Sequence, residues 1–213
     1  MNINMDAELK DSIMKTGTTI LGIVCKDGIV MAADRRVTAG QSLIMNKDYA
    51  KVYTINNYLV FAGCGSATET QKISKVLAAE LKLKELRSRT RPSLKESAGL
   101  LSNLQAVASA FILAGVDENG DTSLYEITGG FLVKVKDYTA SMGSGMPFVL
   151  GFLERSWKSN LTVDEGVKLA IESLKSSTQR DSASGNGIDV FTITSKGIKK
   201  VVSEEILPSF KED

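Results

Sequence analysis

Apolar and polar positions sort the chain into hairpins and helices. Residues 18–25, TTILGIVC, are β-branched and apolar, and IVMAAD at 29–34 returns after Lys26-Asp27-Gly28. An Asp-Gly pair between two such runs predicts a β-hairpin. Shorter apolar runs follow at 43–45 (LIM) and 51–55 (KVYTI), parted by Asn46-Lys47-Asp48. An Asn56-Asn57 turn then leads to YLVFAG, 58–63, which reads as a buried strand. From Ser66 the period changes. Ile73, Val76, Leu77 and Leu81 fall at helical spacing among Lys and Glu, predicting a helix to about Arg89 with Ser66 as its cap. Pro92-Ser93 opens a second helix through LKESAGLLSNLQAVAS, with Leu100, Leu101, Leu104 and Val107 on one face.

Strand patterns return at 110–117 (AFILAGVD), 123–128 (SLYEIT) and, after Gly129-Gly130, in FLVKV. A glycine-serine loop, SMGSGMP at 141–147, leads to a short helix ending near Trp157. Residues 162–180 form a longer helix that opens with the capping-box pair Thr162 and Glu165. IDVFTIT and IKKVV, joined at Lys196-Gly197, are the closing strands. Strands that arrive in hairpins argue for antiparallel sheets, and two blocks of helices need two sheet faces to cover. The expected fold is α+β, a four-layer αββα sandwich of two antiparallel sheets flanked by helices.

Composition narrows the function classes. The 213 residues fit one domain, and 43% hydrophobic with 24% charged residues supports a large core. A net charge of +1 gives no electrostatic case for nucleic acid or an anionic membrane surface. The first seventeen residues mix Asp6, Glu8 and Asp11 with Lys10 and Lys15 and contain no apolar stretch of the secretory kind. Cys25 and Cys64, far apart in such a chain, read as free buried thiols. The expectation is a soluble protein of the cytoplasm. The most restrictive count is zero histidines. Ser-His-Asp and Cys-His catalysis and every His-containing metal site are excluded, so a general base must be a carboxylate, lysine, tyrosine or amine.

Thr16-Gly17-Thr18-Thr19 stands directly before the first apolar run. By itself the tetrad reads as a β-rich strand entry. A second reading is chemical. If the Gly17–Thr18 bond is cut, Thr18 carries a hydroxyl nucleophile and a free α-amine of pKa about 7.7–8.0 on one residue. That amine can take the hydroxyl proton directly or through a water, without histidine. Gly17, lacking Cβ, lets the backbone bend so that the hydroxyl approaches the preceding carbonyl.

TTILGIVCKDGIVMAADRR resembles the N-terminal hairpin of proteasome β-subunits, the threonine-nucleophile branch of the Ntn-hydrolases. Lys51 in KDYAKVY, SMGSGMPF at 141–148 and RDSASGNGIDV at 180–190 agree in order and spacing. FAGCG at 61–65 and LTVDEGVKLA at 161–170 are similar too, so the resemblance covers essentially 18–213 and lies closest to archaeal β-subunits. It implies the Ntn-hydrolase fold, with residues 1–17 a propeptide, Gly17 and Thr18 the cleavage site, and Thr18 the nucleophile. Asp34 and Lys51 match the acidic and basic residues beside it. A lysine ammonium there favours the deprotonated hydroxyl, and Asp34 holds it charged and oriented. Ser144, Asp181 and Ser184 match the polar network around the terminal amine. Gly63 matches the oxyanion donor, and Val37, Phe61 and Gly65 match the substrate-binding positions.

Two departures stand out. Cys64-Gly65-Ser66-Ala67 replaces a segment in which the family commonly carries an aspartate, and Phe61 at the pocket floor implies a shallow pocket. The resemblance implies no cofactor and no metal. Its partners are other β-subunits in a seven-membered ring, α-subunit rings, an ATP-dependent unfoldase acting through them, and unfolded protein substrates, with no nucleic acid and no membrane. A non-catalytic, unprocessed ring subunit, the peptidase of the simpler bacterial ATP-dependent protease and an Ntn amidase are the other readings.

Overall fold

The computed structural model describes residues 17–39, 43–104 and 109–205. Strands β1 (Ile20–Cys25) and β2 (Gly28–Asp34) form the expected hairpin, and β10 (Tyr138–Ala140), β11 (Gly187–Thr194) and β12 (Gly197–Glu205) complete a sheet in the order β10-β1-β2-β11-β12. A second sheet runs β5-β6-β7-β8-β9, from β5 (Val52–Asn56), β6 (Leu59–Cys64), β7 (Ala110–Val116), β8 (Thr122–Thr128) and β9 (Phe131–Val135). Every pairing in both sheets is antiparallel. Between β2 and β5, β3 (Val37–Ala39) and β4 (Leu43–Asn46) pair as a separate ribbon. Neither β3 nor β10 shows in the sequence pattern, because three residues are too few to display a period.

Side-chain alternation along the strands divides the core into three layers of contact. Ile20, Ile29, Met31 and Phe191 from the first sheet meet Val60, Ala62, Ile112 and Leu124 from the second. On the outer face of the first sheet, Leu21, Ile23, Val30 and Val190 pack beneath Val149 and Leu153 of α3 (Met146–Ser156) and Ala170 and Leu174 of α4 (Val163–Thr178). The second sheet presents Leu59, Phe61, Phe111 and Ile127 to Ile73, Leu77 and Leu81 of α1 (Ala67–Ser88) and Leu94, Ala98 and Leu101 of α2 (Leu94–Leu104). Helix, sheet, sheet and helix stack in that order, the expected sandwich. Strands covered on both faces are apolar on both, which is why β2 and β7 read as continuous buried runs.

The helix ends follow their caps. Ser66 Oγ accepts from the Glu69 N–H at 3.3 Å, and Thr162 with Glu165 forms the full reciprocal capping box. One expectation is corrected: the described part of α2 is Leu94–Leu104, and Ser109, the expected last residue of this helix, lies outside any helix. Residues 105–108, with Val107, lie outside the described residues, as do 1–16 of the expected propeptide. Among the described residues no helix is long and apolar enough to cross a membrane. Both cysteines are buried and unpaired, as expected, and burial pushes Cys64 up to about 11; burial, with Asp27 and Glu165 nearby, pushes Cys25 up to about 12.

Position along α1 sets what a leucine contributes. Leu77 is fully buried against the second sheet, whereas Leu86 is 64% exposed. Leu77→Ala is expected to lower unfolding free energy by about 2–5 kcal/mol, through lost transfer and a residual cavity. Leu86→Ala should change it by no more than about 0.5 kcal/mol. Denaturant titration of the two variants checks both.

Candidate active site

Four segments converge where the N-terminal entry to β1 meets the end of β2. Asp34, the last residue of β2, is completely buried and accepts four hydrogen bonds. Its Oδ1 takes Lys51 Nζ at 2.6 Å and the Thr19 N–H at 2.7 Å. Its Oδ2 takes the Arg36 N–H at 3.0 Å and the Gly185 N–H at 3.1 Å. A fully buried carboxylate needs such a set of donors. Lys51 enters from the second sheet, immediately before β5, and is 3% exposed. Burial pushes its ammonium below the usual lysine range, and the Asp34 charge and hydrogen bond oppose that.

Lys51 Nζ has a second acceptor. It lies 3.3 Å from the carbonyl oxygen of Gly17, to which Thr18 Oγ1 also donates at 2.7 Å. Two donors on one carbonyl draw electron density toward oxygen and leave its carbon more electrophilic. The Gly17 N–H donates to Thr38 Oγ1 at 3.0 Å, which holds the residue from its other side.

A second network holds the nitrogen of Thr18. That N–H donates to Ser144 Oγ at 3.3 Å, and Ser144 Oγ donates to Asp181 Oδ2 at 2.6 Å. Ser184 Oγ donates to the same oxygen at 2.5 Å. With the Ser184 proton so committed, the 2.6 Å contact between Ser184 and Thr19 must have the threonine hydroxyl as donor. The loop carrying Ser144 wraps tightly. A Cβ on Gly143 would stand 1.9 Å from the Thr18 carbonyl oxygen, and one on Gly145 would stand 1.8 Å from Thr19 Oγ1. Glycine at both positions is what lets the loop reach Thr18.

The fold therefore brings Thr18, Asp34, Lys51, Ser144, Asp181 and Ser184 into one cluster. Gly63, Gly65 and Val37 line a pocket beside Thr18 together with Tyr49, Tyr53, Ala67 and Thr70. Pairing of β6 with β5 ends at Val52↔Ala62, so Gly63 borders this pocket while still paired with β7. Phe61 is placed differently. Its ring is buried in the core, 6.2 Å from Tyr53 and 5.1 Å from Phe111, outside the pocket lining. The pocket is small, about 10 Å³, room for about one water. Its tyrosine wall is braced by Tyr53 Oη donating to Tyr49 Oη at 3.0 Å. A larger groove of about 520 Å³ between α3 and α4 contains none of the expected site residues.

Sequence reasoning missed Thr19, Thr38, Tyr49, Tyr53 and Thr70. The two tyrosines were within reach, because 49, 51 and 53 share one face of an extended segment and Lys51 was already singled out. Thr38 carried no such signal, since β3 itself was not expected.

A family model described as "Proteasome subunit" matches residues 14–193. The chain is 37% identical over 210 residues to "Proteasome subunit beta" of Archaeoglobus profundus, covering 95% of both. It is 38% identical to "Proteasome subunit beta" of Nanoarchaeum equitans, over 88% of this chain and 98% of the relative. With "Proteasome subunit beta 1" of Thermococcus onnurineus it shares 37% over 89% and 95%.

Removing one member of a buried pair strands the other. Asp34→Ala is expected to destabilise the fold by about 3–5 kcal/mol, because the Lys51 ammonium then lacks a counter-charge. Asp34→Ala combined with Lys51→Met should recover part of that loss. A double-mutant cycle by denaturant unfolding measures the coupling, and additive losses would show that the two charges do not support each other.

Proposed function

The chain belongs to the proteasome subunit family, and we propose that it is a catalytic β-subunit of a 20S particle, a threonine-type endopeptidase that degrades unfolded proteins to short peptides. The observation that carries this reading is the Gly17 carbonyl, contacted at once by Thr18 Oγ1 at 2.7 Å and Lys51 Nζ at 3.3 Å. In self-cleavage, Thr18 Oγ1 attacks the Gly17 carbonyl carbon and Lys51 stabilises the charge that develops on its oxygen. The C–N bond to Thr18 breaks, its nitrogen gains the proton lost by the hydroxyl, and Gly17 is left as an ester on Oγ1. Water hydrolyses that ester, releasing the carboxylate of Gly17 and a Thr18 with a free amine. Residues 1–17 are the propeptide in this scheme.

In the mature site the Thr18 amine serves as base and its hydroxyl as nucleophile, and Lys51 lowers the cost of forming the alkoxide. The peptide bond of the substrate is cut through an acyl ester on Thr18, which water then hydrolyses. Gly63 supplies a backbone N–H to the oxyanion. Ser144, Asp181 and Ser184, already arranged around the Thr18 nitrogen, receive the freed amine. The subunit takes its place in a seven-membered β ring, with α rings through which an ATP-dependent unfoldase delivers unfolded chains, in the cytoplasm.

Mass spectrometry of subunits released from particles that hydrolyse peptides is expected to give an N-terminus at Thr18. Thr18→Ala should abolish both processing and turnover while rings still assemble, as judged by gel filtration. A full-length chain persisting in particles whose activity comes from another β-subunit would mark a non-catalytic ring member instead, and one persisting in active particles that contain no other active β-subunit would overturn activation by self-cleavage.

Lys51→Ala, in chains expressed from Thr18 behind a removable leader, should lose nearly as much turnover as Thr18→Ala. Lys51→Arg should not restore it, because a planar guanidinium cannot replace a compact ammonium in this space. Turnover within about threefold of wild type, under about 1 kcal/mol, would remove Lys51 from the mechanism. Since the charged form is required and burial pushes its pKa down, kcat/KM should fall with rising pH before ordinary lysines titrate.

A further inference from the structure

We propose that Ala183 is a specificity-determining residue for self-cleavage, the side chain that enforces glycine at position 17. The proposal rests on the reading that the Gly17–Thr18 bond is cut. A Cβ placed on Gly17 would stand 1.8 Å from Ala183 Cβ, 2.9 Å from its Cα and 3.0 Å from its carbonyl oxygen. No real Cβ tolerates the first of these distances, so one of the two residues would have to move.

Neither is free to do so. Gly17 is fixed through its N–H on Thr38 Oγ1 and through its carbonyl, which holds both Thr18 Oγ1 and Lys51 Nζ. Ala183 is 7% exposed, and its N–H donates to Asp181 Oδ1 at 3.1 Å. Arg36 holds the segment on either side of it, with Nη1 on the Ser182 backbone carbonyl at 2.7 Å and Nε on the Asn186 side-chain Oδ1 at 2.9 Å. Two residues later, the Gly185 N–H is committed to Asp34. Displacing the 181–185 segment would pull on the same groups that hold Asp34 and the Thr18 nitrogen. A side chain at position 17 thus forces the junction away from Lys51 and Thr18 Oγ1, and cleavage slows.

The requirement is confined to the junction. The pocket beside Thr18 is lined by Val37, Tyr49, Tyr53, Gly63, Gly65 and their neighbours, and Ala183 is not part of that lining. Substrate side chains and the glycine of the junction are therefore read by different walls.

The test follows processing of the full-length chain in assembled particles, by mass spectrometry over time, for wild type, Gly17→Ala, Ala183→Gly and the double variant. Gly17→Ala should be cleaved at least about tenfold more slowly. The double variant should be cleaved several-fold faster than Gly17→Ala, short of the wild-type rate because the Ala183 Cα and carbonyl contacts remain. If wild type itself is never cleaved in active particles, the self-cleavage reading fails whatever Ala183 does. If wild type is cleaved and Gly17→Ala matches it, the role of Ala183 is overturned and self-cleavage stands. A double variant no faster than Gly17→Ala, while Ala183→Gly alone is processed, also overturns it. Should Ala183→Gly alone block processing, thermal unfolding of the uncleavable Thr18→Ala chain decides. Gly17→Ala should then lower the unfolding temperature more with Ala183 present than with Ala183→Gly, and equal shifts would overturn the proposal.

Discussion

A fully buried carboxylate must be met by hydrogen-bond donors, and Asp34 draws four from the protein, from separate parts of the chain. Lys51 comes from the second sheet, Thr19 from the entry to β1, Arg36 from just beyond β2, and Gly185 from the turn before β11. None of these groups could shift far without leaving a buried charge short of a partner, at a cost of several kcal/mol. The position of Thr18 follows from this constraint. Thr19 is tied to Asp34 by its N–H, and the Asp34 N–H in turn donates to the Thr19 carbonyl at 3.1 Å, so the residue before it has little freedom left.

Around that hub the polar groups divide by the atom they serve. Lys51 addresses oxygen, both of Asp34 and of the Gly17 carbonyl, while Ser144 addresses the Thr18 nitrogen and passes the interaction to Asp181. The two sets meet at Thr19 and at the 181–185 turn, where Ser184 and Gly185 bond one to each. Arg35 adds a further restraint on the first sheet, with Nη2 2.8 Å from the buried Asp189, which also pairs with Lys200 at 2.8 Å. Cations from β12 and from the end of β2 thus share one acid on β11.

Much of this is legible in the sequence. Long elements declare themselves through repetition: α1 offers Ile73, Leu77 and Leu81 at helical spacing, and the β1–β2 hairpin has two apolar runs about one Asp-Gly turn. Six polar residues of the site were named by likeness to a family, and the fold gathers all six. What stayed hidden has a common physical cause. Contacts such as Gly17 N–H to Thr38 Oγ1, or Gly17 Cα against Ala183, join residues far apart in sequence through one short hydrogen bond or one van der Waals contact. Nothing periodic marks them. Phe61 is a different case, since a strand position near a pocket can turn its ring into the core, where it lies 6.2 Å from Tyr53, a residue of the pocket lining.

The cluster straddles the two sheets, and this orders events in time. Asp34 ends a strand of one sheet and Lys51 immediately precedes a strand of the other. While a nascent chain has formed its local hairpins but not yet docked the sheets face to face, the ammonium and the carboxylate lie in separate pieces of structure, both hydrated. Their pairing belongs to the same closing step that buries Ile20, Met31, Val60 and Ile112 between the sheets. A half-folded chain thus holds the ammonium and the carboxylate apart, and the cluster around Thr18 is assembled only together with the tertiary core.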